Sequence, residues 1–147
     1  MRVLPALLCA FLSLTAFAQP QDGARSLVVI VNAKSGVRTM SDKEVADLYL
    51  GRARTFATGQ FALPLDLPAG TPLRSRFLQE VTGRGVAEID AYFAQQLFAG
   101  RRTPPQVMPD TAAVIDMVRN HPGAIGYLDR DPADPGVRVV LMIPLRQ

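Results

Sequence analysis

The residues best suited to chemistry in this sequence lie together in Thr71-Pro72-Leu73-Arg74. Thr71 suits the N-cap of a helix, and Pro72 suits the first helical position, which needs no partner for its N–H. Such a helix begins with a hydroxyl, unpaired backbone N–H groups and a guanidinium close together, a combination that binds small anions. Because an Arg in the first turn opposes the helix dipole, its presence favours a ligand role. The pattern predicts an oxyanion site formed by Thr71, the Leu73 N–H and Arg74.

Two plainer interpretations of this segment stay open, namely that Thr71 only caps the helix and that Arg74 points to solvent. We also expect Ser41, Arg52 and Arg101 to border the site. Ser41 has a structural alternative, because with Glu44 it forms a capping box that already satisfies its own helix start. Arg52 and Arg101 also have a plainer interpretation, because scattered surface arginines are usually only solvated.

The sequence lacks the residues that metal sites and common catalytic sites require. Its single Cys lies near the amino terminus, and His121 is its only His, so a zinc site would need carboxylates alone. The Asp-rich segment 129–134 departs from the spacing of a calcium loop, and no Glu closes it. No phosphate loop or nucleophile elbow is present. We therefore predict a binding protein with no metal or cofactor, and not an enzyme.

The first eighteen residues have the three parts of a secretory signal. Arg2 is followed by the apolar stretch Val3 to Phe17, which ends in the small-residue pattern Ala16-Phe17-Ala18. The stretch is interrupted by Pro5 and is short of the roughly 20 residues that span a bilayer. We therefore predict cleavage after Ala18. Residues 19–147 would then form one periplasmic or secreted domain that has no transmembrane segment and, because Cys9 is removed, no cysteine.

The charge of the chain argues against nucleic acid as a partner. The formal net charge is +3, and loss of Arg2 with the leader lowers it to +2. The sequence has neither the dense stripe of Lys and Arg nor the stacking aromatic residues that nucleic-acid binding requires.

Periodicity, caps and turn residues predict the elements that position these side chains. The apolar run Ser26 to Val31 has no polar alternation, which indicates a central strand covered on both faces. The further predicted strands are 61–66, 124–128 and 137–142, and the predicted helices are 41–51, 72–82, 86–98 and 111–120. This order predicts an α/β domain with a mixed sheet of about four strands and four helices packed on it.

Three blocks of the sequence, taken in order, resemble the phosphate-binding proteins of ABC transporters. They are Ser41 to Arg52, Asp66 to Phe77, and Pro122-Gly123-Ala124-Ile125-Gly126-Tyr127. The similarity spans about residues 29–128 and concerns only the second of that family's two lobes. It implies a single lobe of a periplasmic-binding-protein-like fold. In the family, the ligand is held between the lobes by Ser, Thr, Arg and Asp side chains and helix N-termini.

The resemblance also shows where this chain departs from the family. Aligning Arg74 and Phe77 places Thr71 on a ligand-binding Ser, but an Arg of the family falls near Asp66 or Leu67. A cation is therefore missing, and an anion stands in its place. A single lobe also offers only half of an enclosing pocket, so tight phosphate binding would need a homodimer or a partner protein.

The resemblance thus leaves two functions open. The first is an exported solute-binding-like domain with a weak phosphate or oxyanion site. The second is a ligand-free module that binds another protein of the cell envelope.

Overall fold

The computed structural model describes residues 26–145. The predicted leader, its cleavage after Ala18 and Cys9 lie outside the described residues. Within them, the elements in chain order are β1 (Ser26–Asn32), α1 (Asp42–Tyr49), β2 (Leu63–Asp66), α2 (Pro72–Thr82), α3 (Val86–Phe98), β3 (Gln106–Val107), α4 (Thr111–Asn120), β4 (Ala124–Leu128) and β5 (Val137–Pro144). No helix among these residues has the length and apolar character needed to cross a membrane.

The strands form one mixed sheet in the order β3-β2-β4-β1-β5. β1 runs antiparallel to both β4 and β5, whereas β2 runs parallel to β4 and β3. The predicted α/β class and mixed sheet are confirmed. The sheet has one strand more than expected, since β3 consists of only two exposed residues and is too short to give a periodic pattern.

β1 lies inside the sheet, as its apolar run predicts. Six of its seven residues are buried, from Leu27 to Asn32. α4 packs against β4 and β1, and α2 contacts both α1 and α3. The core is therefore assembled around the pairing of β1 with β4 and β5.

Local signals set the ends of most helices. At the start of α1, Ser41 and Glu44 form the predicted capping box, and Asp110 accepts a hydrogen bond from the Ala113 N–H at the start of α4. Gly83 ends α2 with a φ of 71°, a left-handed conformation that glycine adopts at little cost. These features are local, which is why the sequence predicts them.

The inward face of α3 is shorter than its periodicity predicts. Ile89 and Phe93 are buried, but Leu97 is 59% exposed and Phe98 is 97% exposed. Helical spacing puts Val86, Ile89, Phe93 and Leu97 on one face and so predicts that Leu97 is buried. That prediction is wrong, because the last turn of the helix extends beyond the core.

Gly126 of β4 lies directly under α4, and we expect Gly126→Ala to destabilise the protein. An added Cβ would lie 2.4 Å from Cγ1 of the buried Val114, a β-branched side chain with little room to move. Overpacking of this kind costs about 1–3 kcal/mol. Urea unfolding would measure the loss. Gly85→Ser is the control, because a Cβ there meets open space and Ser suits an N-cap.

Candidate functional site

A buried carboxylate at the end of β2 organises the candidate site. Asp66 is 5% exposed. Its Oδ1 accepts hydrogen bonds from the Leu67 N–H, at 2.8 Å, and from the Tyr127 hydroxyl, and its Oδ2 accepts from Nε of Arg74 at 2.9 Å. The backbone carbonyl of Asp66 accepts a further bond from the Met108 N–H at 2.8 Å. Three donors from three parts of the chain therefore converge on one anionic group.

Arg74 connects this carboxylate to a second one. Its Nη2 donates to Asp90 of α3 at 2.8 Å, while Nε is engaged by Asp66. Burial lowers the pKa of the guanidinium, but the hydrogen bonds and charges of Asp90 and Asp66 outweigh it and raise the pKa. Two negative groups face one positive group, so the cluster disfavours an added anion.

The third nitrogen of Arg74 is enclosed by protein. Nη1 is buried and has no hydrogen-bond partner among the described residues. A buried donor without an acceptor costs about 1–3 kcal/mol, so a ligand oxygen that reached it would be stabilised. No such approach is open while the side chain keeps this position, because the atom has essentially no solvent contact.

Three aromatic rings pack against one another, and one of them, Tyr127, donates to the Asp66 carboxylate. Phe77 of α2 stacks on Tyr127 of β4 with ring centres 3.9 Å apart, and the rings of Tyr49 and Phe77 pack edge to face with centres 4.7 Å apart. The Tyr49 hydroxyl donates to the Leu65 carbonyl at 2.8 Å. Burial, followed by the negative charge of Asp66, raises the pKa of Tyr127 far above its ordinary value. The hydroxyl is therefore held as a neutral donor to Asp66.

The predicted oxyanion residues lie at the start of α2 but do not all point to one place. Thr71 is the N-cap residue and Pro72 follows it, as predicted, yet the Thr71 hydroxyl donates to the Pro68 carbonyl at 2.6 Å and makes no cap hydrogen bond. The side-chain cap expected of Thr71 is therefore wrong. The Leu73 N–H has no backbone acceptor among residues 26–145.

The alternative in which Arg74 points to solvent is also wrong. Its side chain is 10% exposed and is directed to the two carboxylates. Leu73 and Thr71 are only half-buried, so the helix tip itself is not covered by the described chain.

The three residues expected at the rim belong to other features. Ser41 is engaged in the capping box, and Arg52 lies 3.8 Å from Asp47. Arg101 lines a groove of about 590 Å³ together with Arg54 and Arg102. In the part of the chain that the structure describes, no hydrogen bond or ion pair joins Ser41, Arg52 or Arg101 to the Arg74 cluster.

Sequence reasoning missed the partners of Arg74. Asp66 ends an apolar strand, and only the alignment with the phosphate-binding proteins pointed to its position. Asp90 lies 16 residues from Arg74 on the polar face of α3, where a carboxylate gives no signal of its own. Tyr127 lies 61 residues from Asp66. Such pairs are set by the tertiary fold.

Asp66, Arg74 and Asp90 are among the residues that line an apolar cleft of about 390 Å³. Leu67, Leu78, Ile89 and Phe93 contribute apolar lining. Among the described residues, no group of three or more His, Cys, Asp or Glu side chains is arranged to hold a metal ion.

Comparison with known proteins supports the fold through structure alone. No protein-family model matches the sequence, and no curated protein matches it. Three solved structures are similar. One is a phosphate ABC transporter substrate-binding protein with bound phosphate from Clostridium perfringens, with a TM-score of 0.63 and 17% sequence identity. The others are an ABC-type phosphate transport receptor from Vibrio cholerae, with a TM-score of 0.62 and 16% identity, and PstS from Borrelia burgdorferi, with a TM-score of 0.60 and 13% identity. Each comparison covers 78% of this chain.

The chain spans less than half the length of these proteins, with 44%, 45% and 46% of them covered. The resemblance to the fold of phosphate-binding proteins is thereby confirmed, as is the architecture of a single lobe. The oxyanion role of Thr71, Leu73 and Arg74 stays a prediction.

Removal of Arg74 is expected to destabilise the protein strongly. Arg74→Ala leaves the Asp66 carboxylate buried without its cation, which typically costs about 3–5 kcal/mol. Asp90 is 53% exposed at its side chain, so Asp90→Asn should cost less than about 1 kcal/mol. Arg76→Ala, at an exposed position of the same helix, is the control for urea unfolding. Equal stabilities for Arg74→Ala and Arg76→Ala would contradict the central role of the pair.

Stability is expected to fall at alkaline pH. The pKa of Tyr127 is raised in the folded state above the ordinary 10.0, so the unfolded chain loses this proton first. The free energy of unfolding therefore declines as pH rises above about 10. Tyr127→Phe should reduce the slope, and buried Tyr49, whose pKa is also raised, should account for part of what remains. Urea unfolding between pH 8 and 11 measures it, and an unchanged slope in Tyr127→Phe would count against this assignment.

Proposed function

We propose that this protein is an exported interaction domain that uses a single lobe of the solute-binding fold as a scaffold to bind another protein of the cell envelope. The observation that carries the proposal is the Asp66 carboxylate. It already occupies the Leu67 N–H, the Tyr127 hydroxyl and Nε of Arg74. Donors of this kind would otherwise serve an oxyanion, and here a side chain of the protein accepts from them.

The charge balance supports the same conclusion. A phosphate near Arg74 would meet two carboxylates and one guanidinium, and the guanidinium is committed to both of them. Charge repulsion and the loss of an internal ion pair would both weaken phosphate binding. A cleft formed by one lobe would in addition leave much of a small ligand in water.

Export is part of this proposal and rests on the predicted signal peptide. Residues 1–18 carry the basic, apolar and small-residue parts of such a signal. The domain would then act in the periplasm or outside the cell, where a chain without Cys9 has no thiol to oxidise.

A weak oxyanion site at Thr71, Leu73 and Arg74 is the second candidate function. The tip of α2 favours it, because Thr71 and Leu73 are only half-buried and the Leu73 N–H has no backbone acceptor among residues 26–145. A homodimer or a partner protein that covered the half-buried helix tip would supply the missing wall of the pocket.

Titration with phosphate and sulfate separates the two functions. For the isolated domain we expect no saturable amide NMR shift at Leu73 or Arg74 up to millimolar anion. Asp66→Asn with Asp90→Asn removes both negative charges while keeping the side-chain shapes, and we expect this variant to gain anion affinity at least tenfold. Saturable binding by the unmodified protein, lost in Arg74→Lys, would establish the oxyanion site and overturn the proposal.

Site-specific photo-cross-linking in the native host tests the partner. We expect one identified envelope protein to cross-link from one face only, with unchanged yield when phosphate is depleted. The purified partner should then bind the domain with the same affinity in the presence and absence of phosphate. Absence of a partner from positions on every face of the domain would reject the interaction function.

A further inference from the structure

A second cavity, which shares Leu97, Pro104 and Pro105 with the cleft that Asp66 lines, combines exposed apolar side chains with positive charge. This groove of about 590 Å³ has apolar lining from Phe61, Leu63, Leu97, Pro104 and Pro105. Phe61 is 76% exposed and Leu97 59% exposed. We call this feature the arginine-bordered groove.

The charges in this groove are all of one sign. Arg54, Arg101 and Arg102 line it, and no Asp or Glu does. Among residues 26–145, no carboxylate lies within ion-pair distance of these three guanidinium groups. Elsewhere on the described surface, Arg119 and Arg130 are paired with Asp, whereas the exposed Arg38 and Arg76 have no ion pair but do not line this groove. The groove therefore holds positive charge that the protein itself does not compensate.

The walls of the groove are held in place before any partner binds. The turn that carries Phe61 is closed by an antiparallel β-bridge between Phe61 and Thr55. Within the turn the N–H of the buried Phe56 donates to the Gln60 carbonyl at 2.9 Å. Arg102 donates to the Tyr92 hydroxyl, which in turn donates to the Leu50 carbonyl. Ordering these groups beforehand lowers the entropic cost of binding.

We infer that this groove binds a protein segment in which apolar side chains are flanked by Asp or Glu. The inference rests on the proposed interaction function and names the surface that serves it. Apolar contacts would supply affinity, and the three guanidinium groups would select an acidic partner and set its register. Arg is also a preferred residue at the centre of such interfaces.

Two other occupants fit the observations less well. A second copy of the chain in a symmetric dimer would bring the same arginines together from both sides, which is unfavourable. Addition of a strand at the neighbouring edge would rely on backbone donors, but Pro104 and Pro105 precede β3 and have no N–H. Recognition through side chains is therefore favoured.

The probe for this surface is the acetylated and amidated hexapeptide Glu-Leu-Glu-Phe-Glu-Glu, titrated into the domain and followed by amide NMR. We expect saturable shifts at Leu63, Leu97 and Arg101, with affinity that falls severalfold between 50 and 500 mM salt. Leu97→Asp and Arg101→Glu should each weaken binding at least tenfold. The matched controls Met142→Asp and Arg130→Glu change an exposed apolar residue and an exposed arginine that line a different cavity, and both should bind as the unmodified protein does.

Several results would overturn the inference. They are silence to millimolar peptide, equal binding of a peptide in which Lys replaces every Glu, or unchanged binding by Arg101→Glu. Concentration-dependent dimerisation that Leu97→Asp abolishes would assign the groove to a second copy instead. An envelope partner that cross-links from another face would reject this groove alone. Saturable phosphate binding at Arg74 with the peptide response intact would reject the proposed function and leave the groove as a binding surface.

Discussion

The structure depends on supplying hydrogen-bond donors and a positive charge to one buried carboxylate. Asp66 lies 5% exposed at the end of β2, where an uncompensated charge would be prohibitively costly. Its partners come from the residue that follows it, from α2 through Arg74 and from β4 through Tyr127. Each of these elements must therefore take up its place relative to the end of β2. The stacked rings of Phe77 and Tyr127 give the same arrangement an apolar support.

This constraint explains how a fold shared with phosphate-binding proteins can have a different arrangement of charges at the start of α2. The backbone of the lobe resembles that of phosphate transport proteins. Anion binding, in contrast, depends on the charges of a few side chains, which the backbone fold does not determine. At the start of α2, the guanidinium that would meet a ligand is held by Asp66 and Asp90. Three arginines without an ion pair among the described residues lie instead around the groove formed by the end of α3 and the loop before β2.

Sequence reasoning succeeded where the determinants are local. The capping box of Ser41 and Glu44, the end of α2 after Thr82 and the unbroken apolar run of β1 each depend on a few neighbouring residues, and each was predicted. β3 was not, because two exposed residues become a strand only through pairing with β2. The exposure of Leu97 was not predicted, because periodicity indicates which face of a helix is buried but not the point at which the helix extends beyond the core. The setting of Arg74 required Asp66 and Asp90 to be brought together by folding.

The position of β1 has a consequence for how the chain reaches its native state. It is the first strand described, yet both of its neighbours come from the far end of the sequence, β4 from residue 124 and β5 from residue 137 onwards. Until those segments have left the ribosome, a run of Val and Ile has no edge to join, and long-range pairing of this kind forms slowly. The first strand of the sheet therefore stays unpaired during synthesis, and its apolar side chains stay available for association with other chains until the last two strands emerge.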